Sequence, residues 1–93
     1  MLRELVDVFL SDTPRLLGRV ERAIARSDAG GLVETAHALK GSVGNFDSGR
    51  VFEAVRQLEM LGRDKNLAEA RAAFADTKMK IKKLCGSLRR LKL

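Results

Sequence analysis

Tryptophan and tyrosine are both missing from this chain of 93 residues, and cysteine, histidine and proline occur once each. Four phenylalanines are its only aromatic residues, so recognition of nucleic acids by base stacking has few groups to use. The single cysteine makes no internal disulfide and offers no thiolate cluster to a metal, which favours a reducing, cytoplasmic setting. The chain does not open with a basic segment followed by an apolar one, and we therefore expect no secretory signal.

Long apolar runs are missing as well, since none approaches the ~20 residues needed to cross a bilayer. Hydrophobic residues make up 45% and charged residues 32% of the chain, as in soluble globular proteins. The length suits a single domain spanning residues 1–93, because single cores usually organise roughly 100–150 residues. This size is too small for a self-contained kinase, dehydrogenase or hydrolase, and it fits a binding or carrier module.

Acidic residues are missing after Asp76, and this asymmetry explains the formal charge of +6. Seven of the 18 basic residues follow position 77, which leaves 11 basic against 12 acidic residues in the preceding part. The body of the chain is therefore nearly neutral, and the excess belongs to residues 78–93. Such a segment is most often a solvated helix face, but it also fits contact with phosphates or a membrane surface.

Apolar residues recur at three- and four-residue steps along the whole chain, the pattern of amphipathic helices. The first stripe predicts a short leading helix over residues 2–10, after which Asp12 and Pro14 mark a new helix start. A second interpretation is one long helix to about Arg26 that Pro14 only kinks. A break follows at residues 27–31, in which Asp28 suits the start of the next helix.

Three further helical stripes follow, separated by short polar segments. The first ends near Phe46, where Asp47 or Ser48 is the expected N-cap of the next helix. That helix ends at Gly62, and the last stripe continues from Leu67 to the end of the chain. Short connections favour antiparallel neighbours, so the prediction is an all-α, up-and-down antiparallel four-helix bundle with a short leading N-terminal helix.

The one histidine, His37, lies on a helix whose core direction the stripe defines. On a wheel with about 100° per residue, Leu32 is set at zero and four apolar residues fall within about 40° of it: Ala36, Leu39, Val43 and Phe46. His37 lies at about 140°, nearly opposite the core. We therefore expect an exposed imidazole, either as an ordinary surface residue or as a functional one.

Two glycines share the face of His37, although glycine is unfavourable inside helices. Gly41 and Gly44 either allow close packing against another helix or leave a bare strip that a partner approaches. Lys40 lies one turn from the imidazole, where it is a solvated lysine or a cation for a nearby anion. Ser42 points elsewhere, but its hydroxyl is available to an interface.

An exposed imidazole beside a cation and cleared space suits phosphoryl transfer. Neutral imidazole offers a nitrogen lone pair, and phosphoryl transfer depends mainly on positioning and charge neutralisation. The chain has no phosphate-binding loop of the GxxxxGK[ST] type and no second histidine or cysteine for a metal. A partner would have to supply the metal and the acidic groups.

The segment Ala36-His37-Ala38-Leu39-Lys40-Gly41-Ser42 resembles the His-x-Leu-Lys-Gly-Ser signature of histidine-containing phosphotransfer (HPt) domains. The resemblance covers roughly residues 2 to 85 and includes Asp28, Phe46 and Leu58-Glu59. It implies a four-helix bundle that accepts a phosphoryl group on His37 from a receiver-domain aspartate and passes it to another receiver. It also implies that Lys40 supports the phosphate and that Gly41 keeps the docking surface open. The chain departs from the pattern at Asp47-Ser48, where Gly-Ala is commoner.

The expected partners are receiver domains and a hybrid sensor histidine kinase, and we expect neither bound nucleic acid nor a kinase activity of the chain itself. The chain is then either a module of the hybrid kinase or a small stand-alone carrier. It needs no cofactor of its own, because Mg²⁺ would come with the receiver. Docking would use Gly41, Ser42 and Gly44, with Arg50 and Arg56 as flanking cations. The alternative is a non-catalytic bundle whose basic C-terminal helix binds an acidic partner, a membrane surface or nucleic acid.

Overall fold

The computed structural model describes residues 2–91, which form four α-helices joined by short connections: α1 Leu2–Ala25, α2 Ala29–Val43, α3 Arg50–Arg63 and α4 Leu67–Leu91. Consecutive helices pack against each other, and α4 also packs against α1. The resulting rod measures 41 × 20 × 17 Å. The predicted all-α four-helix bundle is confirmed. Within residues 2–91, no helix has the length and apolar character required to span a membrane.

The prediction of a separate leading helix is wrong, because α1 runs without interruption from Leu2 to Ala25 with Pro14 inside it. The apolar stripe keeps its phase on both sides of Pro14, so both halves face the same core. Pro14 is exposed, and next to it the hydroxyl of Thr13 donates a hydrogen bond of 2.6 Å to the carbonyl oxygen of Phe9. Packing therefore outweighs the loss of one backbone donor.

Two helices end with a residue in the left-handed conformation. Ser27 (φ 55°) follows α1 and Lys65 (φ 58°) follows α3, and each is flanked by a 6→1 and a 5→2 backbone hydrogen bond. These bonds satisfy the last carbonyl groups of each helix. Asp28 then caps α2 by accepting a bond of 2.9 Å from the backbone N–H of Gly31, as predicted. The expected break is shorter than residues 27–31, since α2 already begins at Ala29.

The turn between α2 and α3 depends on Asp47. Its carboxylate accepts hydrogen bonds from the backbone N–H groups of Gly49 (2.9 Å) and Val51 (2.8 Å). These bonds hold the pKa of Asp47 below its usual value. The N-cap position itself is Gly49, so the prediction of Asp47 or Ser48 as the N-cap residue is wrong. Asp47 nevertheless supplies the carboxylate that satisfies the first turn of α3.

The core runs along the rod and contains most residues of the predicted stripes of all four helices, but Leu2, Leu5 and Leu91 at the ends of α1 and α4 are exposed. Its fully buried hydrophobic residues come from every helix: Val20, Leu32, Ala36, Leu39, Val43, Val55, Leu58, Ala70 and Ile81. Phe9 of α1 meets Phe46 at the end of the bundle, with their ring centroids 5.1 Å apart. Because the core fixes the rotation of α2, it also fixes which residues α2 presents outward.

Gly62 is a point of close approach between α2 and α3. A Cβ atom at this position would lie 3.0 Å from Cγ2 of Val33 and 3.2 Å from Cγ of Leu32. Leu32 is fully buried and has little room to move. Gly41, in contrast, has no atom within 4 Å of an added Cβ.

We predict that Gly62→Ala lowers the free energy of unfolding by about 1–2 kcal/mol, because overpacking exceeds the gain in helix propensity. The matched Gly41→Ala variant should raise it by up to about 1 kcal/mol, since only the propensity changes there. Urea unfolding of both variants provides the measurement. Shifts of the same sign would contradict the close approach at Gly62.

Candidate functional site

His37 lies in the middle of α2, on the side that faces away from the core. Its side chain is 67% exposed, while Ala36 and Leu39 on the opposite side are fully buried. The exposed imidazole expected from the helical wheel is confirmed. The fold therefore holds the ring on a rigid helix without enclosing it.

A buried carboxylate from α3 anchors the ring. Glu59 is only 3% exposed, and its Oε2 lies 3.2 Å from Nδ1 of His37. The same oxygen accepts a hydrogen bond of 2.8 Å from Arg63. The other oxygen, Oε1, lies 2.9 Å from Nζ of Lys40. Glu59 thus joins three basic side chains of two helices.

Glu59 is ionised in this setting. Burial raises the pKa of its carboxyl, but the neighbouring Lys40, Arg63 and His37 together outweigh that effect, and the pKa falls from 4.5 to about 2. An ionised carboxylate only accepts hydrogen bonds, so Nδ1 of His37 must be the donor. In the neutral ring the proton then resides on Nδ1, and Nε2 keeps its lone pair.

Lys40 is not the freely solvated lysine that the sequence left open. Its side chain is 24% exposed, and its ammonium group balances the charge of Oε1 of Glu59. That oxygen receives no well-aligned hydrogen bond from the described residues, so the contact is chiefly ionic. Lys40 therefore stabilises the carboxylate that orients His37.

The residues proposed for docking fall into two groups. Gly41 is exposed with open space around it, one turn from His37. Gly44 caps the end of α2 and approaches Phe52 of α3. Ser42 is half-buried. Gly41 thus leaves a bare surface, whereas Gly44 takes part in helix packing.

The two flanking arginines lie on different sides of α3. Arg56 donates to Glu53 (2.6 and 2.9 Å) and reaches Met60. Arg50 lines a groove between α3 and α4 together with Asp76 and Lys80. Nine residues separate Arg50 from Glu59, which places them on opposite sides of the helix. The structure therefore does not bring Arg50 to the face that contains His37.

Sequence reasoning overlooked three arginines at the C-terminal end of α1, two within the helix (Arg19 and Arg22) and one directly after it (Arg26). Arg19, Arg22 and Arg26 line a cleft of about 300 Å³ that also includes Gly31 and Thr35 of α2. Their spacing of three and four residues is visible in the sequence, and it is the signal that indicates a basic surface along one side of a helix. Only the family resemblance pointed to Glu59. A charged residue within the buried stripe of α3 is nevertheless a signal of its own, since the neighbouring stripe positions are Val55, Leu58 and Gly62.

The site contains no evident place for a metal ion. Within residues 2–91, no group of three or more histidine, cysteine, aspartate or glutamate side chains is arranged to hold one. The chemistry available at the site is that of one imidazole nitrogen, a buried carboxylate and the cations around it.

The low pKa of Glu59 makes stability depend on pH. Because the pKa is lower in the folded chain than its ordinary value, the stabilisation is complete above about pH 5 and is lost as the pH falls from about 4.5 to about 2. We predict a loss on the order of 3 kcal/mol in the free energy of unfolding across this window. Urea unfolding at a series of pH values measures it.

The control for this pH dependence is a pair of glutamine variants. Glu59→Gln should remove most of the pH dependence, leaving a smaller slope from Asp47 and Glu53, whose pKa values are also lowered by their hydrogen bonds. Glu34→Gln removes an exposed carboxylate of the same face and should leave the slope unchanged. An unaltered slope in Glu59→Gln would show that Glu59 is not the group responsible.

Comparison with known proteins places this geometry in a family. The sequence model of the Hpt domain matches residues 4–91. No curated protein matches the chain. Among solved structures, the crystal structure of histidine-containing phosphotransfer protein B (HptB) from Pseudomonas aeruginosa PAO1 is similar in fold, with a TM-score of 0.91 and 23% sequence identity over 97% of this chain and 78% of that chain. The chain therefore belongs to the Hpt domain family, whose members are phosphocarriers of phosphorelays that interact with receiver domains and kinases.

Proposed function

We propose that His37 is the phosphoacceptor and that Nε2 is the reacting atom. This assignment rests above all on the hydrogen bond between Nδ1 and the ionised Glu59, which leaves the lone pair on Nε2. The chain contains no other histidine. The large exposure of the ring allows a second protein to reach it.

The transfer step follows from this tautomer. Nε2 attacks the phosphorus of a receiver aspartyl phosphate, the N–P bond forms, and the P–O bond to the aspartate breaks with its electrons leaving on the carboxylate. No proton has to be removed from the attacking nitrogen. The ring gains positive charge, which Glu59 stabilises through Nδ1–H, as a buried carboxylate does for a catalytic imidazolium elsewhere. Transfer to a second receiver is the reverse reaction.

Lys40 has two roles in this proposal. One is to neutralise Glu59, as the distance of 2.9 Å indicates. The other is to support the transferred phosphoryl group, since an ammonium group has three donors and Glu59 occupies one side of it. No cofactor of the chain is involved, and Mg²⁺ enters with the acidic pocket of the receiver. The chain itself does not hydrolyse ATP.

The docking face, in this proposal, is the outward side of α2 around His37, Ala38 and Gly41. Ala38 and Gly41 are exposed and small, so a partner backbone comes close to the ring. Arg19 and Arg22 of α1 line a cleft with Gly31 and Thr35 of α2, and we expect them to extend the docking face on the side of α1. Basic groups around a small apolar centre complement an acidic receiver pocket and increase the rate of association.

The partners proposed are receiver domains and a hybrid sensor histidine kinase, and the compartment proposed is the cytoplasm, where such partners present their phosphorylated aspartates. Residues 1–93 act as one carrier unit, either alone or as part of the kinase. Fractionation of cells that express a tagged chain tests the compartment.

We predict that the natural chain gains one acid-labile phosphate when it is incubated with phosphorylated receiver domains, and that His37→Gln gains none. Intact mass before and after acid treatment measures the gain. The unfolding midpoint of His37→Gln should stay near that of the natural chain, because an exposed side chain contributes little to stability. Failure of several receivers to phosphorylate a folded natural chain would favour the non-catalytic interaction bundle.

We predict that Gly41→Leu weakens receiver binding by about tenfold, because a branched side chain on the docking face separates the two backbones. Isothermal titration with a receiver domain measures this. The matched control is Gly86→Leu, another helical glycine whose added Cβ meets only the end of Arg90 at 3.8 Å. Equal affinities of the two variants would place the docking face elsewhere.

A further inference from the structure

A second groove lies between α1 and α4, apart from the contacts of His37. Its cavity is about 410 Å³. The floor is apolar and is formed by the buried Leu17, Ile81 and Cys85, and the exposed Pro14 also lines the groove. The rim on α4 is basic and consists of Lys78, Lys82 and Arg89. Neither the phosphoacceptor nor the docking face uses any of these residues.

Gly18 keeps this groove open. It lies inside α1, where glycine is unfavourable. An added Cβ would meet only the flexible end of Arg22, at 3.3 Å or more, and no atom of α4. Close packing of α1 against α4 therefore does not explain it, in contrast to Gly62. The glycine leaves a position beside the apolar floor that only the flexible end of Arg22 approaches.

The basic rim has no acidic partner in the described part of the chain. Lys78, Lys82 and Arg89 form no ion pair there, and Lys78 only lies over the ring of Phe74. Their spacing of four and seven residues aligns them on one side of α4 over roughly 16 Å. Glu21, on the opposite rim, likewise forms no ion pair within residues 2–91. The groove thus combines an apolar floor with a row of uncompensated cations.

We propose that the α1/α4 groove docks an acidic amphipathic helix of a partner protein. A helix in a groove places apolar residues at i, i+3, i+4 and i+7 on the floor, and its acidic flank meets Lys78, Lys82 and Arg89. A second copy of this chain would bring a further formal charge of +6, and its α4 has no acidic residue after Asp76 to meet the basic rim. A flat bilayer does not reach a recessed floor, and nucleic acid does not use an apolar one.

For phosphotransfer, a partner bound in this groove would be held close to His37. The groove uses the side of α1 that faces α4, whereas Arg19 and Arg22 line the cleft with α2. A protein held in the groove therefore leaves His37 accessible. Holding a partner in this way raises its effective concentration at the docking face without a new contact there.

The test uses a fluorescein-labelled helical peptide of 18 residues with leucines at the four floor positions and glutamates on both flanks. Its binding to the full chain is measured by fluorescence anisotropy, and the site is mapped by amide chemical shifts. The groove variant is Lys78→Glu with Arg89→Glu. The matched control is Lys83→Glu with Arg90→Glu, two residues of α4 outside the groove with the same change in net charge. Gly18→Leu fills the groove without any change in charge.

The proposal expects Lys78→Glu with Arg89→Glu to weaken peptide binding about tenfold, and the control pair to change it less than about twofold. Gly18→Leu should weaken binding similarly, and the largest amide shifts should occur at Gly18, Ile81 and Cys85. His37→Gln should bind the peptide normally, so this result is independent of phosphotransfer.

Four results would overturn the proposal. An equal loss of peptide affinity in both double variants would show that only the net charge matters. Equal affinity for a scrambled peptide of the same composition would show that the groove does not recognise an amphipathic helix. Shifts confined to α2 and α3 would assign the peptide to the docking face. Cosedimentation of the chain with phosphatidylglycerol vesicles, abolished by Lys78→Glu with Arg89→Glu, would assign the groove to a membrane surface.

Discussion

The buried carboxylate of Glu59 is the constraint on which the functional face depends. It comes from α3, yet it fixes the orientation of a ring on α2 and attracts Lys40 and Arg63 from both helices. A buried charge is unfavourable unless it is paired, so these cations are required by the fold. In the proposed transfer, stability and reactivity are coupled through this one side chain. The close approach of α2 and α3 at Gly62 allows that side chain to reach across.

Most of the fold can be predicted from the periodicity of apolar residues. The errors of that prediction have local physical causes. The stripe of α1 stays in phase across Pro14, so tertiary packing preserves one helix where local rules favoured two. The start of α3 differs from expectation for another reason. Asp47 binds two backbone N–H groups from outside the helix, and such bonds depend on the turn conformation, which residue type alone does not define.

Some features of the candidate site could likewise be predicted from the sequence, and others could not. The exposure of His37 follows from the helical wheel, because the core stripe of α2 sets a direction and His37 lies opposite to it. The partnership with Glu59 does not follow, since it depends on the register between two helices. Arg50 and Arg56 both looked like flanking cations because each is basic and lies on α3. The two arginines differ in their angular position around the axis of α3. That position becomes known only when Glu59 is known to face α2.

The two sides of α1 present different surfaces. Toward α2, Arg19 and Arg22 line a cleft with Gly31 and Thr35. Toward α4, Pro14, Leu17 and Gly18 form part of an apolar groove. A helix with 3.6 residues per turn separates these sets without any additional domain. Because His37 itself contributes little to the core, its surroundings are free to specialise for partners while the buried stripe maintains the fold.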